Sequence, residues 1–158
     1  MKAVQLLFLA LVLTLTSCGG TVENKTAAAE INTSENASTV ENTPTVANKI
    51  EVIDFYGTHR CVTCKAIEAS AEYTVDTYFA DEKKAGKVIF KTVNVDDDAN
   101  YDIAEAYEAT GTALFLNVVK DGKQTHIDLT EFAFDKGNEQ EEFAQELKSK
   151  IENELATL

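Results

Sequence analysis

Two cysteines separated by two residues, Cys61-Val62-Thr63-Cys64, stand at the junction between a β-rich run and an amphipathic helical run, and this junction constrains the fold most. Ile50 to Tyr56 carries apolar residues on both faces and is bounded by Gly57, the pattern of a central strand. From Cys64 to about Lys84 the spacing predicts a helix, with Ile67, Ala71, Val75 and Tyr78 on one stripe and Glu68, Glu72 and Asp76 facing away. A cysteine at a helix start meets unpaired backbone N–H groups that stabilise a thiolate. Cys61 takes that end position, whereas Cys64 lies one helical turn inside and is expected to be buried. At this spacing the sulfurs are within bonding reach, so Cys61 can attack a partner and Cys64 can resolve the mixed disulfide.

The following residues supply an alternating order of elements. Lys87 to Val95 reads as a second strand. Asp98 caps a predicted helix running to about Thr110, with Ile103, Ala106 and Tyr107 inward and Gly111 as its stop. Ala113 to Val119 and Thr125 to Thr130 flank Lys120-Asp121-Gly122-Lys123, where Asp-Gly between two β-rich runs signals a hairpin. Asn138 with Glu141 opens a last helix in which Phe143, Leu147, Ile151 and Leu155 recur every four residues. The order βαβαββα predicts an α/β fold, a mixed sheet with helices on both faces.

The N-terminus stands apart from this pattern. Lys2 precedes an apolar run from Ala3 to Leu15 that is too short to span a membrane as a mature helix, so residues 1–17 read as a signal peptide. Leu15-Thr16-Ser17-Cys18 resembles the bacterial lipobox, which implies a lipoprotein with acyl chains on Cys18. Removing residues 1–17 takes out one lysine and no acid, leaving 13 basic and 27 acidic residues and a net charge of −14. Anionic lipid repels such a chain, so anchoring rests on the acyl groups. Thr, Asn, Glu and Ser fill 17 of the 28 positions from 21 to 48, which also hold the only proline, Pro44. Residues 18–48 therefore read as a lipidated cysteine followed by a disordered tether, spanning roughly 30 Å as a flexible coil. The domain proper is residues 49–158, which hold 12 of the 13 aromatics. It is expected in the cell envelope, facing outside the cytoplasm on the periplasmic side or the cell surface, where a disulfide persists. Gly19 after the lipid cysteine carries no acidic retention signal, which favours an outer membrane where one exists.

Composition removes several function classes. No apolar run reaches the 18 or so residues of a spanning helix, which excludes an integral transporter. The net charge of −13 argues against nucleic acid as a partner. Three cysteines cannot build a multi-bridge secreted scaffold.

Residues 49–158 resemble the thioredoxin family. Asp54-Phe55-Tyr56-Gly57-Thr58-His59-Arg60-Cys61-Val62-Thr63-Cys64-Lys65 is similar to its active-site segment, Val93-Asn94-Val95-Asp96 to the end of its next strand, and Lys120 to Lys123 to its hairpin. More narrowly, the His-Arg-Cys-x-Thr-Cys site resembles a thioredoxin-like lipoprotein group named ArsF or nitrophenyl compound nitroreductase subunit, a name that does not itself define a reaction. The resemblance implies a thioredoxin-like sheet, a redox disulfide Cys61–Cys64 without other cofactor, and a redox protein partner near the membrane.

The flanking residues bear on the cysteines. Arg60, the only arginine, precedes Cys61, with His59 before it and Lys65 after Cys64. In a domain of 12 basic and 23 acidic residues this cluster is expected to lower the Cys61 pKa, or else merely to solvate a loop. Asp54 resembles the family's buried carboxylate that helps deprotonate the second cysteine, although one extra residue separates it from Cys61. A solvent-reaching strand carboxylate is its other reading. Thr63 stands where thioredoxin has proline, and its hydroxyl can bond the Cys61 thiolate or simply suit an early helical position. The family's cis-proline has no counterpart: Thr112 and Ala113 occupy the loop entering the next strand, where a trans bond is expected.

Three functions remain open: a thiol-disulfide oxidoreductase; a binder of Cu(I) or another soft metal or metalloid through Cys61 and Cys64, with His59 as a further ligand; and a non-catalytic lipoprotein with a structural bridge. Other motifs are weaker. Asp96 to Asp102 has oxygen ligands at alternating positions, but Tyr101 stands where a calcium loop needs Gly and no Glu stands at the twelfth position. His126 reads as a strand residue, and Asn117, alone in an apolar run, requires a hydrogen-bond partner if buried.

Overall fold

The computed structural model describes residues 47–158. The signal peptide 1–17, the acylation site Cys18 and the tether up to residue 46 lie outside the described residues. Strand β1 (Lys49–Tyr56) is the centre of the molecule. It pairs in parallel with β2 (Val88–Asn94) and antiparallel with β3 (Ala113–Lys120), which pairs antiparallel with β4 (Lys123–Asp128), giving the order β2-β1-β3-β4. This is the mixed α/β sheet expected from the element order.

Alternation along β1 distributes the core over two faces. Ile50 and Val52, with Val88, Leu114 and Leu116, pack against α1 (Val62–Tyr78), α4 (Thr130–Lys136) and α5 (Gln140–Leu155) through Ile67, Ala71, Val75, Ala133, Phe143, Leu147 and Ile151. Ile53, Phe55, Val93 and Phe115 form the other face, covered by Ile103 of α3 (Tyr101–Ala106) and by Tyr107 and Ala109 beyond it. There Tyr107 meets Phe55 and Phe115 at ring distances of 5.1 and 5.2 Å. Helices on both faces leave β1 buried along most of its length, which is why its sequence is apolar on both sides.

Several boundaries differ from the sequence expectation, each for a local reason. The first helix starts at Val62 and stops at Tyr78. Phe79 leaves helical geometry with φ −127° to enter the core, and a short α2 (Ala80–Lys84) follows. Asp97, not Asp98, caps the next segment by accepting from the Ala99 N–H at 3.0 Å, and residues 98–100 form a 3-10 turn before α3. That helix ends well before Gly111. Glu108 turns left-handed at φ 52°, the Ala109 N–H reaches back to the Ala104 carbonyl and the Glu108 N–H to that of Glu105, a Schellman closure that buries Tyr107 and Ala109.

The hairpin forms as expected, with Asp121 and Gly122 both at positive φ. Its second strand ends at Asp128, because Asp128 Oδ1 accepts from the Thr130 N–H and starts α4, an element absent from the predicted order. Asn138 does not cap the last helix. Glu139 holds that position without a side-chain cap bond, so the Asn138–Glu141 box is not made.

Candidate active site

The loop 57–60 carries the chain from the end of β1 to the start of α1, and its geometry presents the two cysteines. Cys61 is the N-cap of α1: it is extended, at φ −74° and ψ 169°, and its Sγ accepts from the Cys64 N–H at 3.0 Å. Its carbonyl accepts from the Lys65 N–H at 3.2 Å. The two cysteines form a disulfide with Cα atoms 5.1 Å apart. Cys61 is exposed and Cys64 is buried, so one sulfur is open to attack and the other is shielded.

Beneath the helix start lies Asp54, with no exposed surface. Burial pushes its carboxyl up to about 7, against the pull of Arg60 and with a smaller push from Glu68. Arg60 does not extend beside Cys61 but turns inward. One nitrogen, Nη2, donates to Asp54 Oδ2 at 3.3 Å and to the Cys64 carbonyl at 3.0 Å, while Nη1 bonds Glu68. Its guanidinium carbon lies 4.6 Å from the centre of the Tyr56 ring. Asp54 Oδ1 and Arg60 Nε are buried without a hydrogen-bond partner among the described residues.

The other flanking residues point elsewhere. His59 is exposed on the loop, near enough to Asp96 to help hold that carboxyl below its ordinary range after the dominant bond from the Thr58 N–H, 2.6 Å from Oδ2. Asp96 thus pins the loop, and an alanine Cβ at Gly57 would meet its Oδ2 at 3.3 Å. Lys65 is exposed. The Thr63 hydroxyl is directed to Asn138 Oδ1 at 3.3 Å, tying the start of α1 to the α4–α5 loop. Thr112 and Ala113 enter β3 at the sheet end where the loop leaves β1, since Ala113 pairs with Phe55.

Sequence reasoning did not identify Glu68, Asp96 or Asn138 as members of this neighbourhood, and it included Tyr56 in the active-site segment without assigning it a contact. Among the described residues no group of three or more His, Cys, Asp and Glu side chains is placed to hold a metal ion, and His59 does not join the two sulfurs in one. The remaining candidates are structural. Asn117 Nδ2 donates to Glu51 at 2.7 Å and Gln124 at 2.9 Å, and His126 stacks on Tyr107 at 3.7 Å.

No protein-family profile matches the chain, and no curated protein matches it. Solved structures do show likeness. A thioredoxin from Fasciola hepatica is 25% identical with a TM-score of 0.35, over 56% of this chain and 76% of that one. A thioredoxin from Thermus thermophilus is 16% identical with a TM-score of 0.36, over 50% of this chain and 58% of that one. A malarial protein is 16% identical with a TM-score of 0.36, over 56% of this chain and 96% of that one.

Proposed function

We propose that this protein is a membrane-tethered, extracytoplasmic thiol-disulfide oxidoreductase acting on a protein or small-molecule disulfide through Cys61 and Cys64. One observation carries the reading: the disulfide sits at a helix N-terminus with Cys61 exposed and Cys64 buried behind it. In the reduced protein the Cys64 N–H and the helix end stabilise Cys61 as thiolate. Its sulfur attacks one sulfur of the partner disulfide, a mixed disulfide forms, and the first partner thiolate leaves. Cys64 then gives up its proton, attacks Cys61 Sγ and releases the second partner thiolate. The partner gains two electrons and the Cys61–Cys64 bond is restored. Buried Asp54, with its carboxyl near 7, is suited to take the Cys64 proton in this direction and return it in the other.

Placement at a membrane rests on the lipobox-like Leu15 to Cys18 and the polar tether behind it. The partner is a redox protein at the same surface.

The test uses the full chain in detergent with a fluorogenic peptide disulfide and a dithiol reductant. Cys61→Ser lowers turnover to the uncatalysed background, whereas Cys64→Ser stops turnover with a mixed disulfide visible by mass spectrometry. Equal rates for wild type and Cys61→Ser overturn the reading. So does a reduced protein that retains one Cu(I) per chain and performs no exchange, which assigns the same sulfurs to soft-metal handling instead.

A further inference from the structure

The side chain of the chain's sole arginine, Arg60, turns inward toward Asp54 and the start of α1. A cation meant to favour the Cys61 thiolate would reach toward that sulfur, yet the Arg60 side chain is only 14% exposed and meets two carboxylates, a carbonyl and an aromatic face. Its Nη2 joins Asp54 Oδ2 to the carbonyl of Cys64, so the buried acid and the inner cysteine share one donor. A lysine cannot reproduce this, because the contacts need the planar fork of a guanidinium. The second carboxylate oxygen of Asp54, Oδ1, is left buried and unpartnered among the described residues. The charged groups facing Asp54 are Arg60 from the loop and Glu68 from α1; its neighbours in the sheet, Thr92 and Leu114, are uncharged.

We infer that Arg60 is a positioning residue for the resolving half of exchange: it locks Asp54 to the Cys64 end of α1 and leaves Oδ1 open to take the Cys64 proton. The inference rests on the exchange reading above. In the step concerned, the Cys64 S–H bond breaks and its proton passes to Asp54 Oδ1. The Cys64 sulfur bonds to Cys61 Sγ, and the Cys61–partner S–S bond breaks with its electron pair leaving on the partner sulfur. The oxidant is the partner disulfide itself. Arg60 also favours the ionised form of Asp54, the form able to accept that proton.

Ellman's reagent, an aromatic disulfide that releases a coloured thiolate at each half of the reaction, separates the two steps. With reduced full-length protein the first equivalent reports attack by Cys61 and the second reports resolution by Cys64. In Arg60→Met the first phase stays within about twofold of wild type, while the second slows by about tenfold or more, as loss of assisted proton transfer predicts. The pH at which the second phase reaches half its limit moves upward, because without Arg60 the Asp54 carboxyl holds its proton more tightly. Arg60→Lys, which keeps the charge and the fold, resolves at an intermediate rate. The proposal is overturned if the first phase slows while the second does not, which makes Arg60 a cation acting on Cys61, or if neither phase changes in either variant. Failure of wild type itself to release two equivalents overturns the exchange reading instead.

Discussion

A carboxyl group with no exposed surface and one oxygen unpartnered among the described residues costs stability when ionised, whatever chemistry it does, and Asp54 is such a group. Its carboxyl is raised from the ordinary 3.8 to about 7 by burial, despite Arg60, so the folded protein binds a proton there that the unfolded chain releases. Stability linked to Asp54 is therefore complete below about pH 4 and is lost as pH rises toward 7. Asp54→Asn, a neutral isostere, stabilises the oxidised protein above pH 7 by about 4 kcal/mol or less and by much less at pH 5, measured by urea unfolding at both values. The same variant slows resolution by Cys64. A midpoint unchanged at both pH values would show that the carboxyl is not held against ionisation. The order of the cysteines was legible in the sequence, because it follows from their spacing at a helix start, whereas a buried Asp54 was suggested only by the resemblance of its segment, with a solvent-reaching strand carboxylate as the other reading; the structure buries it. The direction of Arg60 was not legible. Adjacency to Cys61 says nothing about orientation once the chain sends the N-cap Cys61 outward and the side chain before it, Arg60, inward. Glu68 lies on the polar flank of the helical stripe, yet its reach brings it under the loop, 30% exposed.

At the scale of elements, the sequence conveyed what periodicity and turn chemistry carry: the central strand, the hairpin and the two long amphipathic helices. It did not convey where tertiary burial overrides local pattern. Phe79 breaks a helix by entering the core, and Glu108 adopts the left-handed conformation that Gly111 was expected to supply. Most consequential is α4, which hides behind the β-branched run ending at Thr130 and supports the active-site helix through Gly137. An alanine Cβ at Gly137 would lie 2.6 Å from the Ala133 carbonyl oxygen, 2.8 Å from Ile67 Cγ1 and 3.2 Å from Thr63 Cγ2. With φ at −57° the constraint is contact rather than backbone conformation. Gly137→Ala must push α4 from α1, so it destabilises by about 1–3 kcal/mol, read as a lower urea midpoint at unchanged slope. It also loosens the Thr63–Asn138 bond, so alkylation of reduced Cys61 changes in this variant. An unaltered midpoint would mean that α4 packs against α1 less closely than the contacts at Gly137 require.

The molecule as a whole is acidic, with 27 acidic and 14 basic residues, and that imbalance was plain from the sequence. Its effect on stability depends on how the charges are arranged. Exposed pairs such as Lys84–Asp81, Lys148–Glu152 and Lys150–Glu146 are each worth a few tenths of a kcal/mol, too little to offset a broad excess of like charge. Screening that excess with sodium chloride, whose Debye length at 0.1 M is about 10 Å, therefore raises the thermal midpoint at pH 7.5. Asp54 contributes differently, because a buried ionisation is screened little by salt. Acidifying from pH 7.5 to 5.5 thus raises the midpoint even in high salt. Below about 4.5 the trend reverses: burial pushes the Glu51 carboxyl up, but the bonds from Lys49, Asn117 and Lys91 outweigh it and hold the group below its ordinary value, so its stability is lost as pH falls. Stability is therefore greatest near pH 4.5, where Glu51 keeps its bonded, ionised form and most of the Asp54 contribution is still present, and it declines from there toward pH 7. In Asp54→Asn the high-salt part of the gain from pH 7.5 to 5.5 disappears while the salt effect at pH 7.5 persists. Thermal scans of both proteins on a grid of pH and salt separate the two contributions. A wild-type midpoint that falls on adding salt would mean that the surface pairs outweigh the net repulsion, and a high-salt gain that survives in Asp54→Asn would place the titrating group elsewhere than beneath the disulfide.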